Sequence, residues 1–233
     1  VTAARRLRLE ALVTQAERGA VHRGAALLAH GLSAADQAAW AVEYAYPDTI
    51  ADIAAGPAAV VTSLLGEVAR FEEPWSAREA LLWETYRRLC GDQARPVYVF
   101  TVLRHVPASV PQRMDILVRI RRLNLLAALL SHELGLLVVD IDRDLADIGA
   151  RALATDYRLG GQAAARAAAK SLAMTMLLAG LDEAVPFPLQ EAARKLIKPV
   201  PAAPAASAHR RRGFLGRVGR RVRAGRVIQV AIS

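Results

Sequence analysis

Four residues of the kinds that carry out acyl chemistry are spread along this 233-residue chain: His30 and Ser33, three apart, then His105 and Asp156. A serine hydroxyl becomes a useful nucleophile when a base takes its proton, and a carboxylate that orients the base completes the set. Ser33 is the candidate nucleophile and His105 the candidate base, with His30 as the alternative; Asp156 is the candidate orienting carboxylate. Ser33 equally suits a helix cap, and either histidine a structural or surface role. Arg104, next to His105, suits an anion or a cleft rim, and Arg158, two residues after Asp156, suits a polar substrate group. Asp140, Asp142, Asp144 and Asp147 offer carboxylates for a metal or a base, or for neutralising nearby arginines. The chain has a single cysteine, Cys90, which excludes an internal disulfide and a Cys-rich zinc site. It contains no Walker loop, no Gly-x-Gly-x-x-Gly and no His-Glu-x-x-His, so nucleotide and zinc-protease chemistry have no motif. No cofactor and no metal is expected.

These side chains can act together only if the elements between them bring them to one rim. Apolar runs at 58–65, 97–103 and 136–141 read as buried strands, and the alternating Val42-Glu43-Tyr44-Ala45-Tyr46 is β-prone. The run 25–29, ending in His30-Gly31-Leu32-Ser33, reads as a short strand and turn, with Ser33 leading into an Ala-rich helix around Trp40. Leu9, Leu12, Val13 and Ala16 fall at i, i+3, i+4 and i+7, the spacing of an amphipathic helix over 4–18. Ser76-Ala77-Arg78-Glu79 has the form of a capping box for a helix ending at Gly91. Ile116, Ile120, Leu123, Ala127, Leu130 and Leu134 make one stripe of a helix over 112–134, on which Asn124 could anchor a loop. Residues 155–160 open a last helix, about 161–180, whose only polar line is Gln162, Arg166 and Lys170.

Strands separated by helices, each strand apolar on both sides, predict a parallel sheet covered by helices on both faces. Five strands with right-handed crossovers give a flavodoxin-like, doubly wound α/β/α fold whose site lies at the carboxyl ends of the strands. The order and spacing of residues 97–160, and more weakly 25–180, resemble the SGNH/GDSL hydrolase superfamily. In that pattern Gly31-Leu32-Ser33 stands for the Gly-Asp-Ser block, Gly66-Glu67-Val68-Ala69 for Gly-x-Asn-Asp, and Asp156 to Leu159 for Asp-x-x-His. The resemblance implies an acyl-ester hydrolase or acyltransferase, with a carbohydrate ester as one substrate class, and makes Gly66 part of the oxyanion cleft. This chain departs from it at Leu32, Val68, Ala69 and Leu159, and the block-two region, Tyr44-Ala45-Tyr46-Pro47, has no glycine. The departures open a second reading, a catalytically inactive module that keeps the cleft for binding.

The net charge of +9 is unevenly spread. Residues 209–226 hold eight arginines and no acid; without those eight, the remaining Lys and Arg nearly balance the 22 acids. The expected organisation is an N-terminal helix at 1–20, the α/β domain at 21–185, a helix end and Pro/Ala linker at 186–208, and a basic tail at 209–233. Arg210, Arg211, Arg212, Arg217, Arg220 and Arg221 are the candidate contacts to an anionic partner, whether lipid surface, nucleic acid or acidic protein. The 54% hydrophobic content includes no run approaching the ~20 residues a membrane span needs. No segment at the start has the form of a signal peptide, so the expected location is cytoplasmic.

Overall fold

Alternation, not helical spacing, decides the first element. The computed structural model describes residues 4–53, 59–91 and 95–197. In it β1 (Arg5–Leu12) is the second strand of the sheet, where a helix over 4–18 was expected. Leu7, Leu9 and Ala11 are buried in one core, while Leu12 packs against the core of the opposite face. This period of two satisfies the spacing of a strand flanked on both sides, with Leu7 opposite Val42 and Leu9 opposite Ala59.

The second correction follows from the first. Helix α1 (Gln15–Asp36) absorbs the expected strand at 25–29 and the turn at 30–33. Ala and Leu are among the strongest helix formers, and Ala20, Val21, Gly24, Ala25, Leu28 and Leu32 fall on a single buried stripe. The helix stops at Gln37, which adopts a left-handed φ of 53°. Trp40 therefore begins β2 (Trp40–Ala45) and is not part of a helix.

The remaining elements follow the expected order. They are β3 (Ala59–Ser63), α2 (Trp75–Cys90), β4 (Val97–Phe100), α3 (Arg113–Leu134), β5 (Leu137–Val139), α4 (Ile141–Ile148), α5 (Gln162–Leu178) and α6 (Phe187–Leu196). The strands at 97–103 and 136–141 are shorter than expected, since Ile141 already starts α4. Pro74, not Ser76, precedes α2, so the Ser76–Glu79 pattern does not cap it. Residues 187–196, expected to be a helix end and linker, form α6 and pack on α1.

All five strands are parallel in the order β2-β1-β3-β4-β5, the flavodoxin-like doubly wound arrangement. The chain moves one way from β1 to β2 and the other way from β3 to β5. Crossovers of one hand then put α1 on one face and α2 and α3 on the other. Val61, Tyr98, Phe100 and Val139 face α1, α4, α5 and α6, whereas Val60, Val97 and Val99 face α2 and α3. Asn124 of α3 clamps the chain just beyond β4. Its amide accepts the Val102 N–H at 2.8 Å and donates to the Val102 carbonyl at 2.8 Å.

Candidate functional site

In a doubly wound sheet the crevice lies where the strand order reverses, here at the carboxyl ends of β1 and β3. Thr14 follows β1 and caps α1. Its N–H and hydroxyl donate to one carboxylate oxygen of Glu17 at 2.9 and 2.8 Å. From the end of β3, the Ser63 hydroxyl donates to the other oxygen at 2.5 Å and accepts the Leu65 N–H at 2.9 Å. Glu17 is 1% exposed, and burial pushes its carboxyl pKa up against the opposing pull of the three donors. Gly66 lies beside this cluster, since a Cβ there would sit 3.7 Å from Thr14 Cγ2. Thr14, Glu17 and Ser63 were absent from the expected site. The signal was nonetheless present: Thr-x-x-Glu before an apolar stretch marks a helix start. A helix-compatible spacing across 9–16 straddles that mark and hides it.

The loop after α4 closes over the same end of the sheet. Tyr157 donates its N–H to the His105 carbonyl at 2.8 Å, which ties this loop to the segment following β4. His105, Asp156 and Arg158 thus come together on one rim. Asp156 is committed to Arg158. It accepts that residue's backbone N–H at 2.9 Å and its guanidinium Nε at 3.1 Å. The Arg158 guanidinium holds the Asp156 carboxyl below the usual carboxylate range, with His105 acting weakly in the same direction. Leu159 is 4% exposed, left-handed at φ 57°, and borders a small cavity with Gln15, Ala16 and Gly19 at the start of α1. The side chain that this loop sets beside the first turns of α1 at position 159 is therefore apolar.

Ser33 and His30 lie elsewhere. Because α1 runs antiparallel to the strands, its start is at their carboxyl ends and its finish at their amino ends. Ser33, near the finish, accepts the Trp40 N–H at 2.9 Å and so joins α1 to the first residue of β2. The expected set of Ser33, His105 and Asp156 does not converge, since Ser33 sits at the opposite end of the sheet from the other two. His30 is on the outer surface of α1.

The aspartates after β5 are largely engaged by neighbours. Asp140 caps α4, accepting the Arg143 N–H at 3.2 Å and the Thr101 hydroxyl at 3.2 Å. Asp142 accepts the Arg104 N–H at 2.8 Å and forms an ion pair with its guanidinium. Arg104 is consequently fixed at the rim rather than free in it. Asp144 and Asp147 border a separate cavity beside Lys170. Among the described residues, no three of His, Cys, Asp and Glu are grouped to hold a metal ion, and no helix is long and apolar enough to cross a membrane. Arg210, Arg211, Arg212, Arg217, Arg220 and Arg221 lie outside the described residues.

No protein-family model and no curated protein matches the chain. Among solved structures it is similar to a putative SGNH hydrolase from Slackia heliotrinireducens, with 16% identity and a TM-score of 0.44. That match covers 75% of this chain and 100% of the other.

Proposed function

We propose that this chain is a non-hydrolytic SGNH-like module that keeps the crevice at the carboxyl end of its sheet as a binding surface and docks to an anionic partner through its arginines at 210–226. One observation carries the reading: Leu159, buried against the start of α1, takes the place that the Asp-x-x-His pattern gives to the base. Without a base the hydroxyl at the crevice stays a poor nucleophile. Thr14 and Ser63 both spend their protons on Glu17, and Asp156 is held by Arg158. On the rim Arg104 and Arg158 are already paired with Asp142 and Asp156, so the arginines from 210 onward are the contacts this reading assigns to the anionic partner.

A second reading, an acyl-ester hydrolase or acyltransferase acting on a substrate such as a carbohydrate ester, is favoured by one contact. The Thr14 hydroxyl lies 2.8 Å from a carboxylate whose pKa is raised, an arrangement able to take a proton. Hydrolysis of p-nitrophenyl butyrate separates the two. The wild type, Thr14→Ala and Ser33→Ala should all run at the buffer rate. Turnover by the wild type that Thr14→Ala abolishes would replace the binding reading with the hydrolytic one.

A further inference from the structure

On the outer layer of helices, away from the crevice, α1, α5 and α6 enclose an open groove of about 690 Å³. Helix α1 contributes His22, Arg23 and His30, and α5 contributes Arg166 and Lys170, two members of its single polar line. Among the described residues no acidic side chain lines it. The floor is apolar, built from Leu27 and, at the end of α6, Leu196 and Ile197. Leu196 is 49% exposed beside these five bases.

The bases differ in how far they are already engaged. Arg23 bonds Gln162, and His22 meets the Tyr44 hydroxyl at 2.5 Å. Arg166 and His30 have no hydrogen-bond or ion-pair partner among the described residues. Lys170 has only the distant pull of Asp144, and burial pushes its ammonium pKa down. Five bases face one carboxylate at a distance here, Asp144 beside Lys170, and cations so short of counter-charge gain most from an anion delivered to them. A free inorganic anion would leave Leu27, Leu196 and Ile197 against water. An anion that carries an alkyl chain satisfies both halves of the groove.

We propose that this groove binds a single-chain anionic amphiphile, its phosphate or carboxylate head at Arg166 and Lys170 and its chain along Leu27, Leu196 and Ile197. Burying the chain gives a steep length dependence, about fourfold in affinity for each methylene removed from water. The occupant is a monomeric amphiphile rather than a bilayer, because the apolar floor lies between helices and is flanked by the bases.

The test is calorimetric titration of the full chain with dodecyl phosphate below its micelle concentration. Octyl phosphate, inorganic phosphate, dodecanol and anionic phospholipid vesicles are run alongside. Dodecyl phosphate should bind at a single site, octyl phosphate at least tenfold more weakly, and inorganic phosphate and dodecanol not measurably. The double variant Arg166→Glu, Lys170→Glu should weaken binding by about tenfold or more, as two reversed charges require. Leu196→Asp should do the same through the floor. Thermal melts within a few degrees of the wild type establish that each variant is folded. Affinity unchanged by both variants would overturn the proposal; the eight arginines after residue 209 persist in every variant, so binding to them gives that result. Inorganic phosphate binding as tightly as dodecyl phosphate, or heat seen only with vesicles, would overturn it as well.

Discussion

Glu17 shows how one side chain can serve structure at a cost that depends on pH. Its carboxyl joins the cap of α1 to the end of β3, the two elements that flank the crevice. Burial raises its folded pKa above the ordinary 4.5 of a glutamate. Between the unfolded and the folded pKa, the native state holds a proton that the unfolded state has released, so stability falls as pH rises through that window. Glu17→Gln keeps the shape and cannot ionise. Its melting temperature relative to the wild type should therefore be higher at pH 7 than at pH 4, and the gap should close on acidification. A gap independent of pH would mean that Glu17 has the same pKa folded and unfolded, and would sink this account. Asp156 works in the opposite direction: Arg158 lowers its pKa, so its contribution is present above 3.8 and is lost as pH falls further.

At the scale of elements, the contact between α1 and α5 holds one face of the sheet together. It depends on small residues. A Cβ added at Gly24 would lie 3.0 Å from Leu172 Cδ2 and 3.1 Å from the Ala169 carbonyl oxygen, and a backbone atom cannot step aside. Gly24→Val should therefore destabilise by about 1–3 kcal/mol despite leaving a helix position that glycine itself disfavours. Urea denaturation measures this, and a midpoint equal to the wild type would show that the helices can separate freely. The same helix explains why the candidate set was only half legible. Ser33 and Asp156 are chemically suited to one site, and each was visible as a residue. Their separation was decided by whether residues 25–33 form a strand or a helix, and a short Ala/Leu run fits both. Where longer patterns existed, as on α3 and α5, element type and extent were readable within about two residues.

At the scale of the whole molecule, two distributions matter: apolar residues over the sheet and charge along the chain. Strands apolar on both faces require helices above and below, and that alone separates a doubly wound sheet from a one-sided one. The charge is carried mainly by residues 210–226, which suits the proposed anionic partner. Deleting residues 209–233 should abolish low-salt binding to DNA or to anionic vesicles. The full chain should lose affinity steeply as salt is raised, as counterion release requires. Equal binding by the truncated chain would move the docking surface onto the α/β domain. Taken by itself, the amino-acid sequence determined the class of fold, four of the five strands nearly in place, the long helices and the concentration of arginine, because each is written in local periodicity or composition. Tertiary structure alone decided that residues 5–12 form a strand, that Thr14, Glu17 and Ser63 meet, and that Ser33 does not join them. The physical reason is that a strand of eight residues gains its stability from neighbours far along the chain, at 40–45 and 59–63, and no local pattern records that pairing.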